Sequence, residues 1–114
     1  MALTHPLPDQ VVELIAERFR VLGDPTRIRL LERLRRSEAT VTELVGVTGA
    51  SQQNVSKHLG ILRQAGIVQR RKQGTASLYR IVDQGVFGLC EQVCGSIEGQ
   101  LAELGGFLTA SRAA

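Results

Sequence analysis

The chain has 114 residues, 43% of them hydrophobic, which suits one folded domain with one core rather than a chain that stays disordered. Aromatic residues make up 4% and Trp is absent, which argues against stacked platforms for single-stranded nucleic acid. The net charge of +3 says little by itself, and no apolar run approaches the roughly 20 residues that cross a bilayer, so no membrane partner is expected.

Residues 1–8 read as a flexible N-terminal arm broken by Pro6 and Pro8, with no basic and apolar leader pattern, so a cytoplasmic protein is expected. From Asp9 a helix carries Val12, Ile15, Phe19 and Leu22 on one stripe and stops at Gly23. Asp24 is the expected N-cap of a second helix, with Pro25 at its first position, where a missing N–H does no harm. Its apolar side is read as Ile28, Leu30, Leu31 and Leu34, leaving Arg27, Arg29, Arg33, Arg35 and Arg36 as a mostly solvated face from which one or two could reach a phosphate.

Thr40-Val41-Thr42-Glu43 matches a capping box and opens a short third helix, after which Gly46 and Gly49 permit a tight turn. The stretch Ser51–Gly66 then reads as a helix with two unlike faces. Val55, Leu59 and Leu62 lie on a buried stripe, Ser51 is the N-cap, and Gly66 stands just past the end. The other face holds Gln52, Gln53, Asn54, Ser56, Lys57 and Arg63: amides, a hydroxyl and cations, without a carboxylate. Amides pair with adenine edges, and cations and hydroxyls hold phosphates. An ordinary solvated helix face is the alternative. Against it stands the surrounding charge. Between Ser51 and Arg80 lie Lys57, Arg63, Arg70, Arg71, Lys72 and Arg80, and all 11 carboxylates of the chain fall outside that window. Such a field fits a polyanion.

Residues 67–71 and 77–82 read as two strands joined through Gln73-Gly74-Thr75. A basic hairpin directly behind such a helix is a wing. The fold class expected is therefore mainly α with a two-stranded β-hairpin: a winged helix-turn-helix in the order ααααββα, over residues 9–110, with 111–114 as a tail. From Asp83 to about Ala110 a long helix pattern places Val86, Cys90, Val93, Ile97, Leu101, Leu104 and Leu108 on one stripe, interrupted by several glycines. Since the domain core is already supplied, this helix and the first one are expected to form a symmetric homodimer interface.

The DPTR segment (24–27) together with the S-x-x-x-V-S-x-H-L-x-x-L-R-x-A-G-I-V stretch (51–68) resembles the arsenical-resistance-repressor (ArsR/SmtB-type) family of winged-helix regulators, over roughly residues 10–105. The resemblance implies a homodimeric repressor on a roughly palindromic double-stranded operator, released by an inducer. By position it gives Ser51, Gln52, Gln53, Asn54, Ser56, Lys57, His58 and Arg63 to the reading helix, and Arg70, Arg71, Lys72 and Thr75 to the wing. His58 has a competing reading, a hydrogen bond within the helix-turn-helix or to a phosphate.

Two metal-site patterns of the family are missing. Residues 37–44 hold no Cys or His where a Cys-rich motif would stand, and Asp83-Gln84-Gly85 has the Asp without its His. What remains is Cys90 and Cys94, the two cysteines of the chain, at i and i+4. Three readings stay open. They bind a soft metal or metalloid ion (arsenite, cadmium or zinc), two pairs from a dimer completing the shell. They sense oxidants or reactive sulfur as thiols, although a disulfide within one regular helix is geometrically poor. Or they are small apolar fillers. No phosphate loop, H-E-x-x-H or Cys–His pairing points to an enzyme. A winged helix used purely for protein interaction is the remaining alternative, and the carboxylate-free basic window weighs against it.

Overall fold

The computed structural model describes residues 5–103, in the order α1 (Asp9–Leu22), α2 (Pro25–Leu34), β1 (Ala39–Thr40), α3 (Val41–Thr48), α4 (Gln52–Gln64), β2 (Val68–Gln73), β3 (Ala76–Ile81) and α5 (Gly85–Glu103). It divides between Val82 and Asp83 into two compact units. The expected order of helices and hairpin is present, with one addition. Ala39–Thr40 forms a two-residue strand that completes a three-stranded antiparallel sheet in the order β1-β3-β2.

Local chemistry explains where each element starts and stops. Asp24 Oδ1 accepts the N–H of Arg27 at 3.1 Å, so α2 begins on a side-chain cap with Pro25 inside it. Thr40 Oγ1 accepts the N–H of Glu43 at 3.2 Å, and Glu43 Oε1 accepts the N–H of Thr40 at 3.2 Å, which closes the capping box at the head of α3. Gly49 ends α3 at φ 71, left-handed backbone that a Cβ would disfavour, and the chain turns at once into Ser51. Ser51 Oγ caps α4 through the N–H of Asn54 at 3.1 Å. The far end of α4 is a Schellman motif: the N–H of Gly66 reaches Arg63 O at 3.0 Å and the N–H of Ile67 reaches Leu62 O at 3.0 Å, with Gly66 at φ 76. The hairpin turn is Gly74-Thr75, with a positive φ at the glycine alone, and the ladder runs up to Gln73 opposite Ala76.

These elements bury one core in the first unit, in which Leu30, Leu44, Val55, Leu59, Leu62, Ile67 and Val68 are almost wholly inaccessible. The sheet adds Ala39, Tyr79 and Ile81.

On two helices the buried stripe differs from its sequence reading. Ile28 was expected to face inward and is instead 46% exposed. The inward set of α2 is Arg27, Leu30, Leu31 and Leu34, at i, i+3, i+4 and i+7, so a cation occupies the first place on the stripe and Ile28 is rotated out of it. The same spacing on α4 is Val55, His58, Leu59 and Leu62, all buried. Each stripe contains one polar member, and the two meet.

On α1 the residues Val12, Leu14 and Phe19 are 46%, 71% and 53% exposed, although Val12 and Phe19 belong to its expected apolar stripe. In the second unit, α5 leaves Val93 and Ile97 exposed, and the expected stripe members Leu104 and Leu108 lie outside the described residues. Among the described residues no helix is long and apolar enough to cross a membrane.

Candidate nucleic-acid interface

The face of α4 opposite its buried stripe presents Gln52, Gln53, Ser56, Lys57 and Arg63, all exposed, with Asn54 half-buried at its edge. Ser51, also exposed, spends its hydroxyl oxygen on the cap. The first turn of α4 contains no acidic residue, so no carboxylate offsets the positive end of the helix dipole. Gln52 and Gln53 stand at that end. Lys57, Gly60, Ile61, Arg63 and Gln64 line a shallow groove along the rest of the helix. Amide donors and acceptors at the tip, with cations behind them, are what base edges flanked by phosphates require.

His58 does not belong to this face, which corrects its place among the expected DNA contacts. It is buried, with Nδ1 2.9 Å from Arg27 Nη1 and 3.9 Å from Asp24 Oδ1. A guanidinium donates only, so Nδ1 is the acceptor in this pair. Arg27, read as solvated, is in fact the partner. Its other nitrogens donate to carbonyls of α1: Nε to Val21 O at 2.6 Å and Nη2 to Arg20 O at 3.1 Å. Chiefly the backbone N–H of Arg27, with the Arg27 charge and the Thr26 N–H assisting, holds the Asp24 carboxyl below its ordinary value.

The wing carries Arg70, Arg71, Lys72 and Thr75, all exposed. Strand alternation divides the three cations. Arg70 and Lys72 lie on the sheet face that begins with buried Val68, and Arg71 lies on the other. On that second face Arg71 reaches across β3 to Glu38, just before β1. Its Nε donates to Glu38 Oε2 at 3.0 Å and its Nη2 donates to Glu38 Oε1. The Arg71 hydrogen bonds hold the Glu38 carboxyl below its ordinary range, Arg80 adding its charge, and Glu38 in turn raises Arg71. Arg80 also donates to Gln69 Oε1 at 3.2 Å. The basic window is therefore free of carboxylates in sequence but not in space, and Arg71 is already engaged in the free protein. Of the three β2 cations, Arg70 and Lys72 have no ion pair among the described residues.

Cys90 and Cys94 are both exposed free thiols on α5, and Cys94 Sγ lies 3.8 Å from Glu98 Oε1, one turn further on. Among the described residues no group of three or more His, Cys, Asp or Glu is arranged to hold a metal ion within one chain.

Sequence reasoning missed Arg18, Arg27 and Glu38. The first two were hidden because an arginine on an apolar stripe looks like noise in a periodicity. Glu38 was hidden because its partner is 33 residues away.

This geometry has close counterparts. Residues 24–70 match the family described as "Bacterial regulatory protein, arsR family". Over 81 residues the chain is 42% identical to the HTH-type transcriptional regulator KmtR of Mycobacterium tuberculosis, covering 71% of this chain and 62% of that protein. It is 40% identical over 86 residues to a Streptomyces lividans protein named "Probable mercury resistance operon repressor", covering 75% and 64%. The chain thus spans less than two thirds of the length of these two relatives. The crystal structure of M. tuberculosis Rv0081 superimposes with a TM-score of 0.76 at 33% identity, covering 84% of this chain and 97% of that one. In fold, in the helix-turn-helix sequence and in the wing, the chain belongs to the arsR family of bacterial regulatory proteins.

Proposed function

We propose that the protein is a homodimeric transcriptional repressor that binds a roughly palindromic double-stranded operator and leaves it when an inducer binds. The observation that supports this most is the outward face of α4, where Gln52, Gln53, Ser56, Lys57 and Arg63 stand without a carboxylate at the end of a tight turn. In this reading α4 enters the major groove with Gln52, Gln53 and Asn54 toward base edges. Lys57, Arg63, Arg70, Lys72 and Thr75 hold phosphates, and the exposed apolar side chains of α1 and of α5 are the pairing surfaces. Being DNA-directed, it would act in the cytoplasm.

Gln53→Ala is the direct test of base reading. It is expected to lower discrimination between the best duplex and its single-base variants by about 1–3 kcal/mol at one position, with non-specific affinity nearly unchanged. Competition binding with a library of duplexes measures it. A uniform loss on all sequences would show that Gln53 reads no base.

The inducer site we assign to Cys90 and Cys94. Both thiols are accessible in the single chain and share one helix face, with the Glu98 carboxylate beside the second. Thiolates suit arsenite, cadmium and zinc, and a soft ion bound there would supply a strong local cross-link. Two thiolates from one chain leave its shell open, so the partner's pair is needed to close it. The mercury wording of the Streptomyces relative fits a soft ion. Because linkage is reciprocal, an ion that weakens DNA binding must itself bind the DNA complex more weakly. Titrating the reduced protein with zinc, cadmium and arsenite is expected to release DNA, and Cys90→Ser/Cys94→Ser is expected to abolish the release. Release by peroxide or sulfane sulfur, with no response to any of the ions, would move the assignment to thiol redox sensing.

A further inference from the structure

We infer that Arg18 and Arg27 are positioning residues that clasp the reading helix to α1, so that the geometry of α1 pairing dictates which half-site separation the dimer accepts. This rests on the dimeric repressor reading above and adds what would transmit geometry within it.

The two clasps have one physical basis. The last turn of a helix leaves carbonyls without intrahelical partners and carries partial negative charge. At the end of α4 the Schellman motif satisfies Leu62 and Arg63, and Arg18 of α1 donates from Nη2 to Ala65 O at 3.0 Å. The end of α1 has no such motif, since Gly23 sits at φ −86 and ψ 38 rather than in the left-handed region. There the Arg27 guanidinium takes the carbonyls of Arg20 and Val21 with two of its nitrogens. Its third nitrogen is 2.9 Å from His58 Nδ1 in the middle of α4. Asp24 fixes the base of the Arg27 side chain by capping its N–H.

The reading helix is thus tied to α1 at His58 and at Ala65. Seven residues of helix separate these points, about 10 Å at 1.5 Å per residue. A rod held at one point can pivot; held at two, its direction is fixed. Arg27 does not face DNA, because it is part-buried against His58, and Arg18 is engaged at the opposite end of α4 from Gln52. Neither has the position of a phosphate contact. Both join α1, on which Val12, Leu14 and Phe19 are exposed, to the helix that presents Gln53.

A merely structural arginine and a positioning arginine differ in one readout. Inserting or deleting one base pair between half-sites displaces one of them by about 3.4 Å and turns it by about 35°. The probe is a palindromic duplex selected from a random library by the unmodified protein, used at its selected spacing, with one pair inserted, with one pair deleted, and as a single half-site. The unmodified dimer should lose about tenfold or more in affinity for either altered spacing, the scale of one wrong base pair. Arg27→Gln and Arg18→Gln should each compress that penalty to about threefold or less, with half-site affinity and dimer dissociation unchanged. His58→Leu should behave as Arg27→Gln does, whereas His58→Gln, which keeps an acceptor, should retain the spacing penalty. If Arg27→Gln does not fold, Arg18→Gln decides the matter alone. Variants that keep the full spacing penalty, or that lose affinity equally for all four duplexes, overturn the inference. A failure of the unmodified protein to distinguish spacings would instead overturn the dimeric reading beneath it.

Discussion

Leu59→Ala is expected to cost about 3–4 kcal/mol of folding stability, out of a total of roughly 5–15 kcal/mol for a domain of this kind. Leu59 is 0% exposed and lies on the stripe that seats the reading helix. Truncation removes its transfer energy and leaves a hole lined by well-packed neighbours, and close-packed helices relax into such holes incompletely. For a chain of this size the melting midpoint should fall by roughly 15–25 °C. Urea unfolding at fixed protein concentration measures the loss, since the proposed pairing of chains would add its own stability. A change below about 1 kcal/mol would mean that α4 is not seated on the core as described.

The second large effect concerns the wing. If, as proposed, Arg70 and Lys72 each hold a phosphate in both chains of a dimer, Arg70→Gln/Lys72→Gln removes four contacts, and the slope of log affinity on log salt should become shallower by about 3.6. At physiological salt this corresponds to affinity weaker on the order of a thousandfold, on all duplex sequences alike. Arg71→Gln is the informative control. Its guanidinium is already paired with Glu38 through two hydrogen bonds, so phosphate would have to displace a carboxylate to gain it. The slope should hardly move. Filter binding over a salt series from 50 to about 300 mM compares the variants. If Arg71→Gln flattens the slope as much as loss of Lys72 does, the Glu38 pair opens on DNA and the wing cations act as one set.

Most of this architecture was legible in the chain because its punctuation is local. Thr40 with Glu43, Ser51 with Asn54, Gly66 at the close of the reading helix and Gly74 in the hairpin each specify a backbone event within four residues. The outward residues of α4 were legible for a similar reason, since a helix face is a periodicity. Three features were not. The two-residue strand Ala39–Thr40 has no pattern of its own and exists because β3 offers it an edge. Arg27 and His58 occupy apolar positions on their stripes, and what makes each tolerable is the other, 31 residues away. The Glu38–Arg71 pair depends on sheet order, which places the strands bearing them on either side of β3. Periodicity identifies which side of an element turns inward. It is silent about a polar side chain that turns inward to meet a distant partner.

Ile67 has a consequence for engineering. Its N–H closes the reading helix on Leu62, and its carbonyl accepts the N–H of Val82 at 2.9 Å, where the second strand of the hairpin leaves the sheet. A single buried peptide thus bolts α4 to both legs of the ribbon behind it. Anyone wishing to retarget such a protein can exchange the solvent-facing side chains at 52, 53, 56 and 57 in place. To move the whole head to another scaffold, the cartridge must be cut outside residues 51–82, because a graft ending at Gly66 would sever the bolt.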